Sequence, residues 1–243
     1  MTKEHLPDVT NFIRGVRSVI FRHILRKRDY YLFNVPEVSK RSMEAISKKY
    51  GYDRGKPVDR YYIEKFIEQH SDDIKGKCLE VTDNHYTVTY GGKKVTQADA
   101  LDIDTSNKKA NLYGDLRDLK DIKDNTYDCL IVTQTYVMID DYEAAIRESL
   151  RVLKPGGVLL ATMPCLSPVW NIKYHHWRFT KASGEYVFGK IAGKENVQVN
   201  TYGNTLVGQA FWVGMSMNDL TVKEYQYNDP FFPVIVTIRV VKK

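Results

Sequence analysis

Apolar positions along the chain change their period near Pro57. Between Asn11 and Phe33 they recur near helical spacing, at Phe12, Ile13, Val16, Val19, Ile20, Ile24 and Leu25. Arg14, Arg17, Arg22, Arg26, Lys27 and Arg28 are interleaved with them, which predicts a basic amphipathic helix. Beyond Pro57, helix-period stretches alternate with short apolar runs. Tyr62, Ile63, Phe66 and Ile67 give one helix a buried stripe, with Asp59 as its N-cap and its end near His70. Lys77–Val81 reads as a first strand, the stretch Val95–Asp104 contains a second, placed at Ala100–Asp104, and Ala110–Tyr113 reads as a weak third. Tyr127–Thr133 reads as a buried strand after the turn Asp124-Asn125-Thr126. Asp141 caps a helix that buries Ile146, Leu150 and Leu153, and Lys154-Pro155-Gly156-Gly157 ends it. Val158–Met163, a helix over Lys181–Ile191, and strands Val197–Tyr202 and Val234–Val241 complete the pattern.

Strands alternating with helices require crossover connections, hence a mostly parallel sheet covered on both faces. Two late strands with no clear helix between them predict an antiparallel edge. The expected architecture is α/β: a Rossmann-like domain over residues 57–243 with a basic helical extension over residues 1–56.

Charge supports that division. The chain of 243 residues carries a net +6, yet residues 1–60 alone hold 14 Lys+Arg against 7 Asp+Glu. The basicity therefore belongs to the extension, whose expected jobs are covering its own domain, docking on a partner or lying on an anionic membrane surface. No groove-reading module accompanies the charge, so nucleic acid is not an expected partner. The longest apolar runs are about four residues where a membrane span needs ~20, and the N-terminus lacks the apolar core of a secretory signal, so the expected location is cytoplasmic. Cys78, Cys129 and Cys165 form no CxxC pair, which argues against a disulfide framework or a zinc site; no metal is expected.

In an open α/β sheet, ligands sit outside the carboxyl ends of the strands. Those ends carry Glu80, then Asp104, then Gly114-Asp115-Leu116, then Thr133-Gln134. A carboxylate after the second strand can accept from both hydroxyls of a ribose, and the 24 residues from Glu80 to Asp104 fit one strand plus a crossover.

Three pieces resemble the class I S-adenosylmethionine-dependent methyltransferases: Asp124–Val132, the run Arg147–Ala161 with its Leu-Lys-Pro-Gly-Gly turn, and the strand before Asp104. The flanks Arg54–Glu64 and Trp177-Arg178-Phe179-Thr180 are similar to methyltransferase-like proteins associated with glycosyltransferases of bacterial surface-polysaccharide pathways. The resemblance implies S-adenosylmethionine as cofactor. Glu80 would stand beside its methionine end, Asp104 would bind the ribose, Asp115 and Leu116 would flank the adenine, and Thr133 and Gln134 would lie under the sulfonium. Tyr61 and Tyr62 would close over the site or pack against the sheet. It also implies a sugar or glycan acceptor and a glycosyltransferase partner.

One departure stands out. The family's first strand enters a glycine-rich loop, but here it runs Glu-Val-Thr-Asp-Asn-His-Tyr with no glycine before Gly91. Thr82 replaces the first glycine, and its Cβ is expected to narrow the cleft and to resist a positive φ. Three readings stay open: a methyltransferase acting on a sugar hydroxyl, a non-catalytic module of the same fold that scaffolds a glycosyltransferase or sits at the membrane, or a methyltransferase with an unrelated small-molecule acceptor. For the first, a general base is needed, and Tyr174-His175-His176-Trp177-Arg178 supplies the candidates. His176 is the expected base, and Arg178 the expected fork for an anionic group on the acceptor.

Overall fold

The computed structural model describes residues 43–243, and those from Ser47 onward form one compact unit. The basic helix expected over residues 11–33 lies outside the described residues. Residues 47–56 belong with the α/β unit rather than with the extension. Ser47 N donates to the Val213 carbonyl at 3.2 Å and Met217 N to that of Lys56 at 2.7 Å. Gly51, at φ 91°, allows this approach, since a Cβ there would meet the Met215 carbonyl oxygen at 2.5 Å.

Helix α1 (Arg60–Gln69) leads into β1 (Gly76–Val81), β2 (Val95–Asp102), β3 (Leu112–Tyr113) and β4 (Tyr127–Thr133). Then follow α2 (Tyr142–Val152), β5 (Leu153–Pro164), α3 (Lys181–Ala192), β6 (Val197–Tyr202), α4 (Thr205–Trp212), α5 (Val222–Gln226) and β7 (Ile235–Val241). The sheet order is β3-β2-β1-β4-β5-β7-β6. β1 to β5 pair in parallel, whereas β7 runs antiparallel to both β5 and β6. The predicted doubly covered sheet with an antiparallel edge is therefore what forms.

One face of the sheet packs Leu79, Leu130, Leu159 and Ile238 under α2 and α3. The other packs Cys78, Cys129, Ile131 and Leu160 under α1 and α4. Cys78 and Cys129 are buried neighbours on paired strands, the inert role their apolar surroundings suggested.

Three elements depart from expectation. The region between the last two strands is helical: Asn204 Oδ1 caps α4 by accepting from Val207 N at 3.0 Å, and Thr221 and Glu224 close a capping box on α5. β2 begins five residues before Ala100 and ends at Asp102, two residues before Asp104. Its polar residues are satisfied sideways, because Asp99 accepts from Gln97, Asn111 and Tyr127 Oη. Finally, the connections from β2 to β3 and from β3 to β4 are loops. The second is stapled by Arg151, whose guanidinium donates to the carbonyls of Leu119 and Ile122 and pairs with Asp124 and Glu148.

Candidate functional site

The carboxyl ends of β1 and β4 and the N-terminus of α1 converge. Glu80 closes β1 almost fully buried at 3% exposure, and its two oxygens accept from Tyr86 N at 3.1 Å and Thr87 N at 2.7 Å. Burial outweighs these bonds and lifts its pKa to about 7. The carboxylate thus folds the loop of residues 82–87 back over the strand end.

Thr82 follows in that loop with φ 81°, the left-handed conformation a glycine would supply. The expected resistance of threonine to positive φ does not reshape the loop. Thr82 N donates to the Leu101 carbonyl at 2.7 Å, its own carbonyl accepts from Asn107 Nδ2 at 2.7 Å, and its side chain is exposed rather than filling a buried space. The surrounding bonds over-determine a conformation that costs about 1–2 kcal/mol for an L-residue.

Asp59 does not cap α1, as its position suggested; its side chain makes no capping bond. It turns toward β4, where Gln134 Nε2 donates to Asp59 Oδ2 at 3.4 Å. Gln134 leaves the strand at φ 55°, with its N–H donating to Thr162 O at 2.8 Å. Asp59 Oδ1 and Gln134 Oε1 are both buried with no hydrogen-bond partner. Burial pushes the Asp59 carboxyl up, against the pull of the Arg60 guanidinium 3.9 Å away. Arg60 in turn donates to Tyr86 Oη and Tyr52 Oη, both at 3.3 Å. A cation at the first position of a helix is opposed by the helix dipole, so its presence there calls for another use. From sequence Asp59 reads only as a helix cap, and Arg60 and Tyr86 receive no role in the site. The available signal was an Asp-Arg pair at a helix start, a poor choice for the helix itself.

The other expected residues divide. Thr133 lies at the junction beside Gln134, half-buried. Asp104 stands two residues past β2 in an exposed turn, its carboxylate accepting from Ser106 N at 2.9 Å. The strand-end carboxylate beside Thr82 is Asp102, which accepts from Asn107 Nδ2 at 2.6 Å and Asp104 N at 2.9 Å. Asp115 is held by Arg117, which bridges on to Asp140, while Leu116 is buried in the core. Tyr61 and Tyr62 do not close over the site. Tyr62 Oη donates to the Tyr225 carbonyl at 3.1 Å, and Tyr61 stacks on the Tyr225 ring at 4.1 Å, so both pack α1 against α5.

Neither catalytic expectation finds a free group facing Glu80. Arg178 clasps its own loop, donating to the carbonyls of Ser167 at 2.8 Å and Trp177 at 3.1 Å and contacting His175 Nε2. Its fork is spent on backbone, which makes it a positioning residue. His176 is exposed, its N–H donating to the Val137 carbonyl at 2.9 Å. A concavity of about 420 Å³ lies nearby, bordered by Asp140, Tyr142, Arg147 and Trp177 at the start of α2. It belongs to the rim beyond β4, not to the Glu80 junction.

Comparison with known proteins agrees with this layout. Residues 78–161 match the methyltransferase-domain family. Over 59 residues the chain is 41% identical to a ubiquinone/menaquinone biosynthesis C-methyltransferase of Pasteurella multocida, a stretch covering 23% of this chain and 22% of that enzyme. A methyltransferase structure from Archaeoglobus fulgidus superposes with a TM-score of 0.52 at 11% identity, covering 75% of this chain and 94% of the other. A putative sarcosine dimethylglycine methyltransferase from Galdieria sulphuraria gives 0.51 at 14%, covering 75% and 86%. Among the described residues no helix is long and apolar enough to cross a membrane, and no cluster of three or more acidic, histidine or cysteine side chains could hold a metal ion. The unit from Ser47 onward has the class I S-adenosylmethionine-dependent methyltransferase fold, with the family's sequence signature in residues 78–161.

Proposed function

We propose that the protein is an S-adenosylmethionine-dependent methyltransferase whose acceptor is a sugar or glycan hydroxyl. The observation that carries the reading is the junction itself: a left-handed loop at Thr82, a buried Glu80 and a half-buried Arg60 meet two buried acceptors that lack a hydrogen bond, Gln134 Oε1 and Asp59 Oδ1, the latter 3.9 Å from Arg60. That donor and acceptor set fits a zwitterion. Arg60 would hold the carboxylate of the methionine end, and the orphaned oxygens suit an ammonium. Asp102, beside Thr82, replaces Asp104 as the residue suited to ribose hydroxyls.

S-adenosylmethionine, when bound, supplies an electrophilic methyl group on a sulfonium. The chain's own contribution is alignment: Arg60 and Tyr86 fix one side, and the left-handed turn at Gln134 presents the end of β4 toward it. The loop that carries His176 is pinned to residues 137–139 beyond β4, and this fixed loop supports His176 as the base for a sugar hydroxyl. The basic residues 1–33 would dock the enzyme on a glycosyltransferase partner or an anionic membrane.

Calorimetry with S-adenosylhomocysteine tests the reading. Binding that weakens at least ten-fold in Arg60→Met supports it. Folded protein silent toward both S-adenosylmethionine and S-adenosylhomocysteine leaves the non-catalytic module in its place.

A further inference from the structure

Large aromatic side chains are ordinarily buried, and exposed ones gathered on a pinned loop ask for an explanation. Trp170 is 59% exposed and Tyr52 50% exposed. Their rings meet edge-on, 6.1 Å apart at 72°. Tyr50 packs on Trp170 at 4.7 Å and donates its hydroxyl to the Val169 carbonyl at 2.6 Å.

The loop is held from several sides. Trp170 N donates to His175 Nδ1 at 3.1 Å, Arg178 anchors the Ser167 carbonyl, and Trp177 Nε1 donates to the Ile139 carbonyl at 2.8 Å. An indole left in water while its backbone is fixed at both flanks is preorganised for a ligand, because the entropy of ordering it is already spent. Its position is specific too. Tyr52 Oη accepts from Arg60, and Arg60 reaches Tyr86 in the β1 loop, so a continuous chain of contacts joins the aromatic corner to the junction over Glu80.

We propose that Trp170 and Tyr52 form the acceptor subsite and receive a pyranose ring. This rests on the methyltransferase reading and names where its acceptor binds. A flat base is satisfied by stacking on a single ring face. Two rings near a right angle instead make a corner suited to a thick, non-planar ring, whose axial C–H face lies on the indole while its equatorial hydroxyls meet polar groups at the edge. One such group is the Tyr52 hydroxyl, oriented by the Arg60 guanidinium that donates to it.

Saturation-transfer NMR on the full chain tests the subsite without using methyl transfer. The probes are the methyl pyranosides of glucose, galactose, mannose and N-acetylglucosamine, with cyclohexanol and uridine as contrasts. The expected result is transfer to the ring protons of at least one pyranoside, stronger than to either contrast. It should weaken at least five-fold in Trp170→Ala, recover in Trp170→Phe, and remain unchanged in Trp212→Ala, an exposed tryptophan on α4. Equal transfer in Trp170→Ala overturns the proposal, as does absence of transfer from every pyranoside, or uridine outcompeting them all. Pyranoside contact without S-adenosylhomocysteine binding upholds the corner while removing the methyltransferase reading, so the two failures are told apart.

Discussion

Glu80 should make the stability of this protein depend on pH in a way that a single substitution removes. Its carboxyl is almost fully buried, and its pKa moves from the ordinary 4.5 to about 7 because burial outweighs the two backbone N–H bonds it accepts. A shift of that size corresponds to about 3 kcal/mol at ~1.4 kcal/mol per unit. The folded state holds the proton that the unfolded chain releases first. The associated stability is therefore complete below pH 4.5 and is lost as pH rises through about 7. Glu80→Gln mimics the protonated side chain, keeping the shape and one acceptor. Urea unfolding of both proteins from pH 4 to pH 8.5 should give similar stabilities at the acid end, with the variant the more stable by about 3 kcal/mol at the alkaline end. Every other titrating group is common to the two proteins and cancels in the difference. A difference that stays constant across the range would refute the reasoning, because it would mean that Glu80 ionises in the folded state as freely as in the unfolded one.

Other consequences follow from the same geometry. Thr82→Gly should leave S-adenosylhomocysteine affinity unchanged or raise it, and shift stability by less than about 1 kcal/mol, since relief of the left-handed conformation offsets glycine's extra chain entropy; a large loss of affinity would show that the threonine side chain itself binds. Asp102→Asn should weaken S-adenosylhomocysteine binding more than Asp104→Asn, read by calorimetry; the reverse order would restore Asp104 as the ribose ligand. Tyr62→Phe should cost about 1–2 kcal/mol in urea unfolding by orphaning the Tyr225 carbonyl, without altering ligand affinity. Changed affinity there would return Tyr62 to the site.

Much of the scaffold was legible because burial imposes period. Tyr127–Thr133 and Val197–Tyr202 are read to the residue, and Asp141 caps α2 as its position predicts, with Oδ1 accepting from Ala144 N at 3.0 Å. The first half of β2 was not legible, because it presents polar residues such as Gln97 and Asp99 instead of an apolar face, and Asp99 accepts from Gln97, Asn111 and Tyr127. Helix α4 was missed since Val207, Gly208, Ala210 and Phe211 are all buried, leaving little polar contrast to mark its period. The junction was legible in part. Strand ends pointed to Glu80 and Gln134, but the resemblance drew attention to Tyr61 and Tyr62 and away from Asp59 and Arg60 immediately before them. Which neighbour faces inward is a matter of tertiary contact, invisible to spacing at the first turn of a helix.

The order of strands sets a schedule for assembly. β6 hydrogen-bonds to β7 within the sheet, and β7 is also the partner that borders β5. A chain emerging from the ribosome has therefore made β6 before the strand it pairs with exists. Until residues 235–241 follow, β5 presents a bare margin and β6 waits unpaired, a window in which a chaperone or a neighbouring nascent chain meets an open sheet. The Arg239 guanidinium, gripping Asp73 at 2.8 and 2.9 Å, is the latch that then fastens the late strand to the segment leading into β1.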